Sequence, residues 1–69
     1  MWKQVTSSNI KAVKYDKTSM SLCVQFKNGS VYCYNNVPLS VANGLETAPS
    51  VGTFFAEKVK NSYDYEKLD

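Results

Sequence analysis

Alternating apolar and polar positions predict a β-hairpin in the middle of the chain. Residues 20–26 carry a large apolar side chain at every second position, which is the period of a strand with one buried face. Asn28-Gly29 follows, and this pair favours a tight turn because both residues tolerate positive φ. Residues 31–34 are again rich in β-forming side chains, so the pattern predicts two antiparallel strands joined at this turn.

The length of the turn decides which side chains share a face of the hairpin. A two-residue loop pairs Phe26 with Val31, and paired residues lie on one face. One face then carries the apolar set Leu22, Val24, Phe26, Val31 and Cys33, and the other carries Cys23, Gln25, Tyr32 and Tyr34. In this register the two cysteines point to opposite faces and cannot form an intrachain disulfide. A three-residue loop with a bulge would shift the pairing by one residue and exchange the faces of the second strand. The conclusion that the cysteines cannot form a disulfide would then no longer hold.

Residues 10–15 predict a further strand before the hairpin, preceded by turn-forming residues 7–9. If Tyr15 pairs with Met20, then Tyr15 and Val13 join the apolar face. The alternate positions, Ile10, Ala12 and Lys14, then share the second face with the tyrosines of the hairpin.

After Pro38 the apolar period lengthens to that of a helix. The apolar residues 41, 42, 45 and 48 lie on one helical face, and Pro38 is suited to the first turn. Gly44 interrupts this helix at a cost of roughly 1 kcal/mol relative to alanine, which indicates a close contact or a weak helix.

A second helix is predicted to begin with Ser50 as its N-cap and to end near Asn61. Its apolar positions are 51, 54, 55 and 59. The tail, residues 63–68, fits either a short strand or an extended segment packed on the domain.

The order of these elements predicts an α+β fold in which a three-stranded antiparallel sheet carries two short helices on one face, in the order β-β-β-α-α. Residues 1–69 form one domain with a small core, so we expect a homo-oligomer. No apolar run approaches the roughly 20 residues that cross a membrane, and the first residues lack the apolar stretch of a signal peptide. We therefore expect a cytoplasmic protein without a membrane partner.

Composition and charge narrow the classes of function. The net charge is only +2, and all eight basic residues are lysines, which argues against sequence-specific DNA binding. Histidine is absent and there are two cysteines, so we expect neither a metal site nor a cofactor. The acidic residues are scattered and form no catalytic constellation, so we expect no enzyme activity.

Several short motifs, in the same order over nearly the whole chain, resemble the KTSC domain family. They include Ser7-Ser8-Asn9-Ile10, Tyr15-Asp16, Tyr32-Cys33-Tyr34, Ala48-Pro49-Ser50-x-Gly52 and Tyr63-x-Tyr65. The family is named for a domain at the C-terminus of some lysyl-tRNA synthetases, and many members are short bacterial or phage proteins. The resemblance implies a small domain suspected of binding RNA.

Tyr32 and Tyr34 suggest a first ligand site, since two aromatic side chains on the face opposite the core make a stacking surface for bases. Lys14 on the same face would meet a phosphate. The alternative is that the tail or a second subunit covers both tyrosines.

The start of the second helix suggests another site. Unpaired N–H groups there attract anions, Gly52 permits close approach, and Ser50 and Thr53 add hydroxyls. Ordinary capping and tight packing are the alternative. Lys58, with Lys60, would extend a basic edge toward a phosphate, although a solvated helix face explains both lysines equally well.

The residues and the resemblance together predict a non-catalytic binding module for a phosphate-bearing ligand, either RNA or a small nucleotide. A sharper form is a phage-type oligomer in the host cytoplasm, acting as an anti-defence sponge that sequesters a nucleotide immune signal. The alternative is a protein–protein adaptor that docks partners on its aromatic sheet face.

Overall fold

The computed structural model describes residues 2–68, in which an antiparallel sheet of five strands carries the helices on one face. The strands follow chain order across the sheet: β1 (Lys3–Gln4), β2 (Ile10–Asp16), β3 (Ser21–Phe26), β4 (Val31–Tyr34) and β5 (Tyr65–Lys67). Between β4 and β5 lie α1 (Leu39–Thr47) and α2 (Val51–Phe54), and α2 continues directly into a π-helical segment, Phe55–Val59.

The α+β class and the two helical regions are confirmed, whereas the sheet has five strands and not three. The two additional strands form its edges and contain only two and three residues. Apolar alternation needs about four residues to be recognised, so β1 leaves no signal in the sequence. For the tail, the strand alternative is the correct one.

The β3–β4 turn contains three residues, not two. The N–H of Phe26 donates to the carbonyl of Ser30 at 2.9 Å, and the N–H of Gly29 donates to the carbonyl of Phe26 at 3.0 Å. Gly29 has a φ of +98°, which an L side chain rarely adopts. The predicted register is therefore wrong by one residue. Cys23 lies opposite Cys33 and the two form a disulfide, which corrects the expectation that they could not.

This shift exchanges the faces of β4. We call the helix-covered side of the sheet the inner face; it carries Val13, Tyr15, Leu22, Val24, Phe26, Tyr32 and Tyr34. The opposite, uncovered side is the outer face, with Ala12, Lys14, Cys23, Gln25, Val31, Cys33 and Glu66. Tyr32 and Tyr34 thus lie on the side of the core, and the prediction that they lie opposite it is wrong.

A β-bulge in β2 corrects the placement of Ile10. Ile10 pairs with Phe26 but Ala12 pairs with Gln25, so an extra residue separates them and both cannot face the same side. Ile10 therefore turns to the inner face and is fully buried, at 0% exposure. Val13 and Tyr15 are on the inner face as predicted. They pair two residues further along β3 than expected, and a shift of two keeps the face.

The core lies between the inner face and the helices, and it includes most of the predicted apolar helix positions, with Val41 and Phe54 partly buried against it and Ala48 outside it. Its buried members are Ile10, Val13, Leu22, Val24, Tyr34, Val37, Ala42, Leu45, Val51, Phe55 and Val59. The close contact expected at Gly44 is present, because a Cβ built there would be 2.8 Å from Cζ of Phe54. No helix within residues 2–68 is long and apolar enough to span a membrane.

Candidate functional site

Five aromatic rings cluster at one end of the inner face. Alternation along β4 places Tyr32 and Tyr34 side by side, and β5 brings Tyr65 against both, with ring centroids 5.5 and 5.4 Å apart. Phe55, from the π-helical segment, lies 5.5 Å from Tyr34 and 5.6 Å from Phe26. These spacings are those of edge and tilted aromatic packing.

A groove of about 400 Å³ opens above this cluster, between the β3–β4 turn, β5 and the helical segment. We call it the aromatic groove; it is lined by Asn9, Phe26, Asn28, Ser30, Tyr32, Tyr34, Gly52, Phe55, Ala56, Lys60, Asn61 and Tyr65. Tyr34 and Phe55 are buried at its base, at 3% and 4% exposure, whereas Tyr65 is 56% exposed at its side. The groove therefore combines an aromatic base with polar amides and one lysine at its rim.

The electrostatics of the groove are mildly cationic. Burial raises the pKa of the Tyr34 phenol, and the neighbouring Tyr65 and Tyr32 raise it further, so Tyr34 stays neutral at physiological pH. The Nζ of Lys67 lies 5.9 Å from the ring centroid of Tyr32, close enough for a cation–π contact. Lys60 supplies the one ammonium in the groove wall itself.

The structure brings some of the predicted site residues together and separates others. Tyr32, Tyr34 and Gly52 all line the aromatic groove. Lys14 lies on the other side of the sheet, where its Nζ is 5.4 Å from the ring centroid of Trp2, so it cannot share a ligand with the tyrosines. Lys58 is exposed but is not part of the groove wall.

The start of α2 is capped as predicted. The Ser50 hydroxyl accepts a hydrogen bond from the N–H of Thr53 at 3.4 Å and donates to the Thr53 hydroxyl at 3.0 Å. Ser50 and Thr53 line a polar depression beside the groove, and the carboxylate of Glu57 lines it too. That carboxylate disfavours an anion there, so capping accounts for these hydroxyls.

Gly52 lies between this depression and the aromatic groove. A Cβ built on it would be 3.0 Å from Oδ1 of Asn9 and 3.3 Å from Oγ of Ser7. The Ser7 hydroxyl in turn accepts hydrogen bonds from the N–H groups of Asn9 and Ile10, as the turn signal predicted. Glycine at this position thus allows the turn before β2 to pack against α2.

Sequence reasoning missed part of the groove wall. The sequence pattern indicates Asn28 and Asn61 only as turn and helix-stop residues, and Asn9 only as part of a turn. Their common location is set by contacts between distant segments, so no local pattern indicates it. Tyr65 had a signal, because its alternation with Tyr63 places it on one face of an extended tail.

Within residues 2–68, no three or more Cys, Asp or Glu side chains are grouped so as to hold a metal ion. The groove wall contains neither a thiol nor a carboxylate. Its chemistry is that of stacking, amide hydrogen bonding and a single lysine charge.

Comparison with known sequences identifies the domain, because the KTSC domain profile matches residues 6–63, most of the chain. The chain belongs to the KTSC domain family. A lysine–tRNA ligase of Nostoc is 43% identical over 61 residues, which is 88% of this chain but 11% of the ligase. An uncharacterized protein of Stutzerimonas stutzeri is 34% identical over 64 residues, covering 91% of this chain and 90% of that protein. The KTSC domain thus spans about a tenth of the ligases it matches.

The crystal structure of a KTSC domain protein from Yersinia pestis has the same fold. It superposes with a TM-score of 0.94 at 30% identity, over 100% of this chain and 97% of that one. The family resemblance of the sequence motifs is therefore confirmed.

Proposed function

We propose that this KTSC domain is a non-catalytic binding module that holds a nucleotide, free or within RNA, in the aromatic groove. The observation that carries the proposal is the exposed ring of Tyr65 beside Tyr32, at the side of a groove of about 400 Å³. Pockets that hold small ligands have volumes of roughly 300–1,000 Å³.

The groove offers groups for the base and for the phosphate of a nucleotide. Aromatic rings provide faces on which a base stacks, at about 1–3 kcal/mol per base. The side-chain amides of Asn9, Asn28 and Asn61 both donate and accept, which suits the edge of a base. The ammonium of Lys60 would pair with a phosphate.

The relatives add support for RNA among the ligands. Lysine–tRNA ligases act, by name, on tRNA, and three of them carry a stretch that is 39–43% identical to this chain. A domain attached to such an enzyme would gain from holding RNA without catalysing a reaction itself.

Removal of the exposed ring tests the stacking contact. Tyr65→Ala should weaken binding of AMP, UMP or a short single-stranded RNA by about 5- to 150-fold. This range corresponds to the loss of about 1–3 kcal/mol from one stacked base. Binding would be measured by isothermal titration calorimetry. Trp2→Ala is the matched control, because Trp2 is also an exposed aromatic residue but contacts Lys14 of the outer face. Equal losses in both variants would contradict the proposal.

Lys60 and Lys58 provide a second matched pair, since both are exposed lysines of the same region but only Lys60 lines the groove. Lys60→Gln should weaken binding of a nucleotide and leave binding of the nucleoside unchanged, whereas Lys58→Gln should alter neither. If Lys58→Gln weakens binding as much as Lys60→Gln, the phosphate does not lie in the groove.

Salt dependence separates the two sizes of ligand. A long RNA releases many counterions on binding, so its affinity falls steeply with salt, whereas a mononucleotide shows a shallow slope. A shallow slope with tight mononucleotide binding is what a sponge for a nucleotide signal requires, and that role stays a prediction. The adaptor alternative relied on tyrosines exposed on a sheet face, and Tyr34 is buried beneath the helical segment.

A further inference from the structure

Two of the asparagines in the wall of the aromatic groove lie side by side. The carbonyl of Asn9 accepts a hydrogen bond from the N–H of Lys27 at 2.9 Å, which places Asn9 next to the β3–β4 turn that contains Asn28. Both asparagines line the groove on this side, whereas Lys60 and Asn61 line it from the end of the helical segment. Which end of each amide is open to a ligand depends on the hydrogen bonds that the amide makes within the protein.

The amide of Asn28 is oriented by its own turn. Its Oδ1 accepts a hydrogen bond from the N–H of Ser30 at 2.9 Å, the contact that an asparagine makes with the backbone two residues further on. A backbone N–H can only donate, so the atom that it meets has to be the amide oxygen. The Nδ2 group, which is a donor only, is thus the end of the amide that is left for a ligand.

The amide of Asn9 is oriented in the same way by Ser7. The Ser7 hydroxyl oxygen accepts from the N–H groups of Asn9 and Ile10, both at 3.3 Å, so its own proton is directed to Oδ1 of Asn9 at 3.0 Å. That oxygen also lies against the start of α2, since a Cβ on Gly52 would be 3.0 Å from it. Asn9 therefore presents its Nδ2 group, again a donor only, where the groove borders the polar depression.

We propose that this pair of amide donors makes the groove selective for a uracil base over a cytosine base. The inference rests on the proposed function, because it concerns the base of the nucleotide held in the groove. Uracil has carbonyl oxygens at C2 and C4, and both accept from N–H donors. Cytosine has an amino group at C4, which is itself a donor, and it would meet the asparagine donors with no acceptor between them.

The other groups of the groove do not offset this preference. Stacking on the tyrosines does not distinguish the two pyrimidines, because every base has a π face. Among the lining residues that the structure describes, none is a carboxylate that could accept from an amino group. Asn61 and the hydroxyl groups of the wall can each turn to donate or to accept, so they suit both bases and can accept from the N3–H of uracil. The oriented donors of Asn9 and Asn28 then decide between the bases.

Uridine and cytidine are the matched pair of ligands that tests the preference, because they carry the same sugar, no phosphate and a base of the same size. NMR chemical-shift titration of the isotope-labelled full chain would give both dissociation constants. Uridine should bind about tenfold more tightly than cytidine, since a hydrogen bond takes the place of two donors that meet without an acceptor.

Asn28→Asp replaces the donor by an acceptor and keeps the turn. The carboxylate still accepts from the N–H of Ser30, because aspartate makes the same turn contact as asparagine. Its second oxygen accepts from an amino group and repels a carbonyl, so the ratio of the two constants should shift by about tenfold or more toward cytidine. Asn9→Asp keeps the bond from the Ser7 hydroxyl and should shift the ratio in the same direction, which provides a second variant if the first does not fold.

Asn43→Asp is the matched control, because it adds the same charge at an exposed asparagine of α1 that does not line the groove. It should leave the ratio of the two constants unchanged. Equal affinity of the parental protein for uridine and cytidine overturns the selectivity but leaves the proposed nucleotide binding intact. A ratio that neither groove variant changes, or that Asn43→Asp changes as much, also overturns the selectivity. Failure of uridine, UMP and AMP alike to bind overturns the proposed function and this inference with it.

Discussion

The two faces of the sheet are built from the same strands but are stabilised in different ways. The inner face carries large aliphatic and aromatic side chains against the helices, and the largest fully buried side chains within residues 2–68, among them Leu22, Val24 and Leu45, lie there or beside it. The outer face carries no helix, and its centre is the disulfide between Cys23 and Cys33. One side depends on packing and the other on a covalent bond between neighbouring strands.

The difference between the two faces depends on single residues in one turn and one bulge. The third residue of the β3–β4 turn and the bulge in β2 decide which side chains of each strand point toward the helices. Without them, Ile10 would leave the core and the tyrosines of β4 would face solvent. The following predictions test the contrast between the faces, from the largest expected effect to the smallest.

Truncation in the centre of the inner face should have the largest effect. Leu22→Ala removes a fully buried side chain and should lower the free energy of unfolding by about 3 kcal/mol. Val31 is a half-buried side chain on the outer face of the neighbouring strand β4. Val31→Ala should lower the free energy of unfolding by less than about 1 kcal/mol. Urea denaturation followed by circular dichroism measures both; similar losses would contradict the contrast.

Opening the disulfide should have a comparable or slightly smaller effect. The bridge closes a loop with a sequence separation of 10 residues, and the chain-entropy relation assigns such a loop about 3 kcal/mol. The Cys23→Ser/Cys33→Ser variant should therefore unfold at lower urea concentration. The parental protein should show the same loss after reduction, whereas the variant should not respond to a reductant.

Gly44 tests how closely the helices pack above the inner face. Gly44→Ala would bring a methyl group to 2.8 Å from the ring of Phe54, and overpacking of this kind costs about 1–3 kcal/mol. The gain in helix propensity, roughly 1 kcal/mol, offsets part of that cost. We expect a net loss of thermal stability, and Gly44→Ala combined with Phe54→Leu should recover it.

Tyr15 provides a smaller test, at the border of the inner face. Its hydroxyl donates to the carbonyl of Val37 at 2.6 Å and ties β2 to the start of α1. Tyr15→Phe should cost about 1 kcal/mol, the usual net value of one hydrogen bond. Tyr63→Phe is a suitable control, and an equal loss there would show that the bond to Val37 contributes nothing specific.

The smallest effect should appear at high pH. Burial raises the pKa of Tyr34 above its ordinary value of 10.0, so the unfolded chain loses this proton first. The contribution is complete below pH 10 and declines as the pH rises above it, because the unfolded state then binds fewer protons than the folded state. Tyr34→Phe should make the loss of stability above pH 10 shallower in urea titrations. An unchanged slope would indicate that Tyr34 ionises freely.

Much of the fold was predictable because it follows local patterns. The alternation in residues 20–26, the helical spacing around Leu45 and Phe55, and the cap at Ser50 each depend on residues close in the chain. The candidate site was predictable only in part. The sequence indicates Tyr32 and Tyr34 as aromatic residues of the site. It also predicts Lys14 on the same face as these tyrosines, whereas the structure places Lys14 on the opposite face.

The sequence by itself determined the class of fold, the position of both helices, the hairpin and the family, because periodicity and short motifs are properties of neighbouring residues. The tertiary structure decided the faces of β4, the disulfide, the edge strands and the aromatic groove. The physical reason is that strand period is two, so one added residue in a turn or bulge reverses every side chain that follows. Whether that residue is accommodated depends on contacts between distant segments, which no local pattern contains.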